Sequence, residues 1–117
     1  MSVESIVNGY LTGHAALVSL VGTRIYPEAA ALDSALPYVV FSKLEGEEYN
    51  NLLGERMLGR YRFSVQAWHR VKDSAESTLD ACIAALTANG VPIETRTASF
   101  DEEVGLHGAI VEFDYWG

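Results

Sequence analysis

The chain has 117 residues, 49% of them apolar, and sixteen acidic against eight basic side chains give a formal net charge of −8. A chain of this size buries roughly two thirds of the surface its unfolded form exposes, so one globular domain over 1–117 is expected rather than a disordered segment. The acidic balance opposes affinity for nucleic acid, no apolar run nears the ~20 residues that span a bilayer, and Cys82, the single cysteine, leaves no intrachain disulfide and fits a reducing cytoplasm.

Val3, Ile6, Val7, Tyr10 and Leu11 recur at helical spacing and predict an amphipathic helix over about 3–11. Glu4 stands where a secretory signal would carry positive charge, so secretion is not expected. Thr12 is placed to cap a second short helix, about 14–21, which Gly22 ends. Arg24–Tyr26 predicts a short edge strand stopped by Pro27, which cannot donate to a ladder. Residues 28–35 read as loop, and Tyr38–Leu44 predicts a strand. Residues 45–59 contain Gly46, Gly54 and Gly59 in a polar setting and predict a long excursion or a hairpin with an extended tip.

Arg60–His69 is the clearest strand. Tyr61, Phe63, Val65 and Ala67 share one face, predicted to meet the core, and Arg60, Arg62, Ser64 and Gln66 share the other. That second face carries charge but no acid, so it is either solvated or paired with another surface. Asp73 and Glu76 have capping-box spacing ahead of a helix whose stripe is Ala75, Leu79, Cys82, Ile83 and Leu86, ended by Asn89-Gly90. Residues 91–100 and 109–116 predict two more strands, with Asp101, Glu102 and Glu103 between them. Strands joined without crossover helices pair antiparallel as a rule. The expected class is therefore α+β: a mostly antiparallel sheet of about four to five strands, order α-α-β-β-β-α-β-β, with helices on one face.

Few residues here suggest chemistry. His14, His69 and His107 lack the spacing of metal ligands. Cys82 falls on a buried stripe, whereas a reactive thiol wants a partly exposed, electropositive setting. No nucleophile-elbow serine, phosphate-cradling glycine loop or dinucleotide fingerprint is present. The pairs of carboxylates at Glu47-Glu48 and Asp101–Glu103 lie in polar stretches, where solvation outweighs acid–base work. Trp68 and Trp116 are out of phase with the core faces of their strands. Each is either a cap on the sheet or an anchor for a neighbouring subunit.

The order of these segments resembles a known family. An N-terminal helix leads to Ala15-Ala16-Leu17 and Leu20-Val21-Gly22. Arg24-Ile25-Tyr26-Pro27 and Leu36-Pro37-Tyr38-Val39-Val40-Phe41 follow. Then come the strand through Trp68, a helix containing Ala75 and Glu76, and the closing Phe113-Asp114-Tyr115-Trp116. Along nearly the whole chain this resembles the tail-completion, or tail terminator, proteins of long-tailed bacteriophages and prophages.

The resemblance implies a structural virion protein without catalytic activity or cofactor, made in the host bacterial cytoplasm. It implies a ring, typically a hexamer, at the head-proximal end of the tail tube, where it halts polymerisation and joins tail to head. Its partners would be further copies of itself, the tail tube protein and the head–tail connector. DNA would pass through the lumen without specific binding, and no membrane would be involved. On that reading, Tyr49, Asn50, Leu52, Leu53, Arg56 and Met57 are candidate contacts with a neighbouring subunit or the tube, with Trp68 and Trp116. Glu45, Glu47, Glu48, Asp101, Glu102 and Glu103 are candidate lumen-facing acids. Other readings are a head-side stopper or connector component, a small α+β enzyme or ligand-binding module, and a regulator that binds a basic partner.

Overall fold

In the computed structural model, three helices cover one face of a five-stranded sheet. The structure describes residues 2–30, 34–50, 52–54 and 56–117, and the backbone alone at 49, 50 and 56–58. In chain order the elements are α1 (Val3–Thr12), α2 (Ala15–Val21), β1 (Ile25–Pro27), β2 (Tyr38–Asn50), β3 (Arg56–His69), α3 (Lys72–Ala88), β4 (Thr95–Asp101) and β5 (Leu106–Trp116). The sheet order is β1-β2-β3-β5-β4. The α+β class and the order of elements are those expected from sequence.

Three local expectations are corrected. Thr12 does not cap α2: α1 runs on to include it, and its hydroxyl donates to the Asn8 carbonyl at 2.9 Å. His14 occupies the cap position of α2 and makes no side-chain cap. Asp73 and Glu76 do not form a capping box, because α3 begins at Lys72 with Val71 before it. Asp73 thus falls inside the first turn, where its charge suits the helix dipole, and Glu76 turns instead to Arg96. Finally, β1 and β2 pair parallel, Ile25↔Val39 to Pro27↔Phe41, because β2 starts at the end of the sheet where β1 began. The other three pairings are antiparallel.

Sequence alternation decides what is buried. Tyr61, Phe63, Val65 and Ala67 of β3 face the helices, opposite Tyr115, Phe113, Val111 and Ala109 of β5. The Phe63 and Phe113 rings stack with centroids 5.7 Å apart, and both side chains are fully buried. Above them α3 contributes Ala75, Leu79, Cys82, Ala85 and Leu86, while α1 and α2 add Val7, Leu11, Leu17 and Val21. Gly90, at φ 78, lets the chain leave α3 in a conformation that a side chain would oppose. Val91 then closes the helix end, its amide donating to the Leu86 carbonyl at 3.1 Å. The backbone measures 52 Å along its longest axis against 29 and 24 Å across, an elongation that follows from the length of β2 and β3.

Candidate assembly surfaces

The second sheet face carries no helix. Directly opposed antiparallel residues share a face, so the register places Arg60 and Arg62 beside Glu47 and Glu45 of β2 and beside Trp116 and Asp114 of β5. Arg60 Nε lies 3.1 Å from Asp114 Oδ2, and its Nη1 lies 3.9 and 3.8 Å from Glu45 and Glu47. Arg62 Nη1 lies 2.7 Å from Glu94 and 3.1 Å from Asp114, and its Nη2 lies 3.3 Å from Glu112. Two guanidiniums thus sit among five carboxylates. The Glu94 hydrogen bond, above all, raises the Arg62 guanidinium above its ordinary pKa. Partial burial acts most strongly on the Asp114 carboxyl and raises it, yet the hydrogen bonds and charges of Arg60 and Arg62 together hold it below the ordinary value. The arginine face of β3 is therefore paired within the molecule. Four of its acids come from the neighbouring strands β2 and β5 and the fifth, Glu94, from just before β4. The alternation of Glu112 and Asp114 with Val111 and Phe113 was the signal that could have found two of them.

Toward the other end, the same face turns aromatic. Trp68 is half-buried and its ring lies over Gly108, so close that a Cβ there would stand 2.7 Å from the ring. Its indole N–H donates to Gln66 Oε1 at 3.2 Å. Tyr26 and Tyr38 meet edge to face at 6.3 Å at this end. Trp116 lies at the charged end, 49% exposed. Both tryptophans stand off the core face, eight residues apart along the β3–β5 ladder (Arg60↔Trp116 to Trp68↔Gly108), so they do not form one patch.

The strands β2 and β3 continue as a hairpin. Gly59 and Gly117 exchange two hydrogen bonds of 3.0 Å. Past them β3 extends three residues, roughly 10 Å of strand, in the pairs Tyr49↔Leu58 and Asn50↔Arg56. Leu52 and Leu53 sit in the turn, 106% and 83% exposed, and Gly54 at φ 82 permits its tight curvature. The side chains of Tyr49, Asn50, Arg56 and Met57 lie outside the described residues.

The acids proposed from sequence as one group are split. Glu45, Glu47 and Glu48 lie near the hairpin root, with Glu45 and Glu47 drawn toward Arg60. Glu48 is on the helix-bearing face and accepts a hydrogen bond from the Tyr61 hydroxyl at 3.1 Å. Asp101, Glu102 and Glu103 are exposed at the β4–β5 turn, at the opposite end of the sheet. Counted along β3, about 25 Å of strand separates the two sets.

The remaining candidates sit in structural roles. Cys82 is fully buried and burial pushes its thiol up to about 12. His69 and His107 oppose one another in the β3–β5 register. His69 Nδ1 accepts from the Val71 amide at 3.1 Å, and the His107 ring lies 4.6 Å from Phe100. His69 and Asp73 also line an open depression of about 350 Å³ between α2 and α3, with Ser19, Leu20, Ser74 and Thr78. Among the described residues, no group of three or more His, Cys, Asp or Glu could hold a metal ion.

A family model described as "Tail completion protein gp17" matches residues 7–116. No match is found among curated proteins. Among solved structures, a chain of the "Virion of native gene transfer agent (GTA) particle" superposes with a TM-score of 0.72. That match covers 97% of this chain and 92% of the other at 17% sequence identity, a likeness of fold.

Proposed function

Because this chain belongs to the family described as tail completion protein gp17, and is thus a structural protein of a phage-type tail, we propose that its copies close into a six-membered ring at the head-proximal end of the tail tube. There the ring stops tube polymerisation and receives the connector of the head. It acts by shape and needs no catalytic residue or cofactor. It is made in the cytoplasm of the host bacterium and ends in the virion.

The observation that carries this reading is the hairpin tip. Leu52 and Leu53 are almost wholly exposed, at the end of a strand ladder rooted beside the middle of the sheet. Isolated apolar side chains on a surface are ordinary, but two adjacent leucines on a projecting turn form a plug that water does not favour. A closed ring needs a heterologous contact, one surface of each copy meeting a different surface of the next. The tip supplies one half of such a contact, or the contact with the tube, with Tyr49, Asn50, Arg56 and Met57 beside it. Trp68 and Trp116 on the helix-free face are candidates for the surfaces that receive it.

The acidic groups fit a lumen only as two tiers. Glu45 and Glu47 would form one belt of charge and Asp101, Glu102 and Glu103 another, about 25 Å of strand away, while Glu48, on the helix-bearing face, stands apart from the first. Both belts would repel phosphate, so that a duplex passes without sticking.

Deleting residues 49–57 should leave a folded chain that no longer caps tails, and the double substitution Leu52→Asp with Leu53→Asp should do the same. Electron microscopy of lysates is the readout: tubes should grow abnormally long and stay headless. Tails of normal length carrying heads would overturn the reading. Binding of the purified protein to filled heads in preference to tails would favour a head-side stopper.

A further inference from the structure

The three strands that meet the margins of the sheet are not equally defended. β1 has three residues, ends on Pro27 and is followed by Glu28 at φ 67. β2, where β1 no longer runs beside it, has a register shift between Lys43 and Glu45 and carries acid at Glu45. Short length, proline, bulges and charge are the devices by which proteins keep a sheet edge from pairing with another chain. β4 lacks the first three. Its seven residues, Thr95 to Asp101, are all exposed, its pairing with β5 shows no register shift, and charge appears only at Arg96 and Asp101. α3 packs mainly over β3 and β5 and reaches β4 through Arg96, held by Glu76 and Asp80; Phe100 is 50% exposed on the helix side.

We propose that β4 is a docking edge for β4 of a second copy of this chain, the two strands running antiparallel about a two-fold axis at Ala98. The sequence of the strand is complementary to itself in that register. Ala98 meets Ala98 of the other copy, so the close approach at the axis meets only methyl groups. Thr97 faces Ser99. Arg96 faces Phe100, where its guanidinium, already held by Glu76 and Asp80, can lie against the ring. Thr95 faces Asp101. No like charges are opposed. Shifting the centre by one residue either way leaves strand residues unpaired, so Ala98 is the register that uses all seven. The product is one continuous ten-stranded sheet with Phe100 of each copy covered in the trough between the two α3 helices.

A two-fold contact closes on itself and adds no third copy, so this is a form of the chain away from the tail. It stands on the geometry of β4 alone and is independent of the collar proposed above. Each copy carries a formal charge of −8, so long-range repulsion opposes the pair and added salt should tighten it.

Sedimentation equilibrium of the full chain tests this. A monomer–dimer equilibrium that shifts toward dimer with salt is expected. Ala98→Lys sets two ammonium groups face to face at the axis and should weaken dimerisation by about tenfold or more, with an unchanged thermal melt at concentrations dilute enough for both chains to be monomeric, because Ala98 is exposed. Ala98→Cys should give a disulfide-linked dimer on mild oxidation, since Cys82 is buried and cannot compete. A chain that stays monomeric at every concentration overturns the proposal. So does a dimer insensitive to Ala98→Lys, or an oxidised ladder extending beyond two copies. None of these outcomes bears on whether deletion of 49–57 abolishes capping, so the two readings fail separately.

Discussion

Phe63 and Phe113 anchor the fold at the residue scale. Stacked at 5.7 Å with no exposed surface, they fill the space between the sheet and α3, and no smaller side chain can do so without a void. Phe113→Ala should cost about 3–5 kcal/mol, read as a lower midpoint in urea with an unchanged slope; a loss below about 1 kcal/mol would mean the core collapses onto the gap. Asp114 belongs to the other face and to pH. Its carboxyl is held below the ordinary value of 3.8, so it stabilises the fold in full above that value. Its contribution is lost as pH falls through the lowered folded value. Asp114→Asn should therefore make the acid limb of the stability curve shallower below pH 3.8, and an unchanged limb would show that the arginines do not hold it. Cys82, with its thiol pushed up to about 12, should resist maleimide in the native protein and react on unfolding.

Individual elements show what can be seen in a sequence and what cannot. The faces of β3 were legible because residues alternate strictly from Arg60 to Ala67 and one phase is apolar. α3 was legible from its stripe and from Asn89-Gly90 at its end. Its start was not, because a capping box is a statement about where the first turn lies, and one residue of displacement turns Glu76 from a cap into a partner for Arg96. Beyond Leu44 the sequence left a long excursion and a hairpin both open, because Gly46, Glu47 and Glu48 disfavour a strand locally and the ladder to β3 holds them extended. The carboxylates around Arg60 and Arg62 come from three separate stretches of chain, so beyond the alternation of Glu112 and Asp114 in β5 nothing local announced them. The exposed leucines of the hairpin, in contrast, stood out as apolar residues in a polar, glycine-rich run. One consequence can be tested at this scale. α3 begins without a side-chain cap, and Val71 is 54% exposed. Val71→Ser should accept a first-turn amide and stabilise the protein by about 1 kcal/mol, measured by thermal melting. A destabilised variant would mean that Val71 packs against something the cap cannot replace.

At the scale of the whole molecule, charge and shape matter more than any one contact. A net charge of −8 leaves little to displace counterions from DNA, so the purified chain should not shift a duplex in a gel at physiological salt. A retained duplex would contradict a lumen that lets DNA pass. Lysine substitutions at Asp101, Glu102 and Glu103 would repeat around a ring and convert a repelling belt into an attracting one. They should slow genome ejection while leaving tail assembly intact, as followed by release of fluorescent DNA from otherwise normal particles. Equal ejection rates would place that turn away from the channel.

The paired hydrogen bonds between Gly59 and Gly117 have a mechanical meaning. They clamp the hairpin to the end of β5, so the ribbon has no loose joint at its base. A load on Leu53 should therefore pass into the middle strands through this joint. Trp116 is next to that clamp, and its fluorescence should therefore report engagement of the distant tip as a change in emission, serving as a built-in strain gauge for docking.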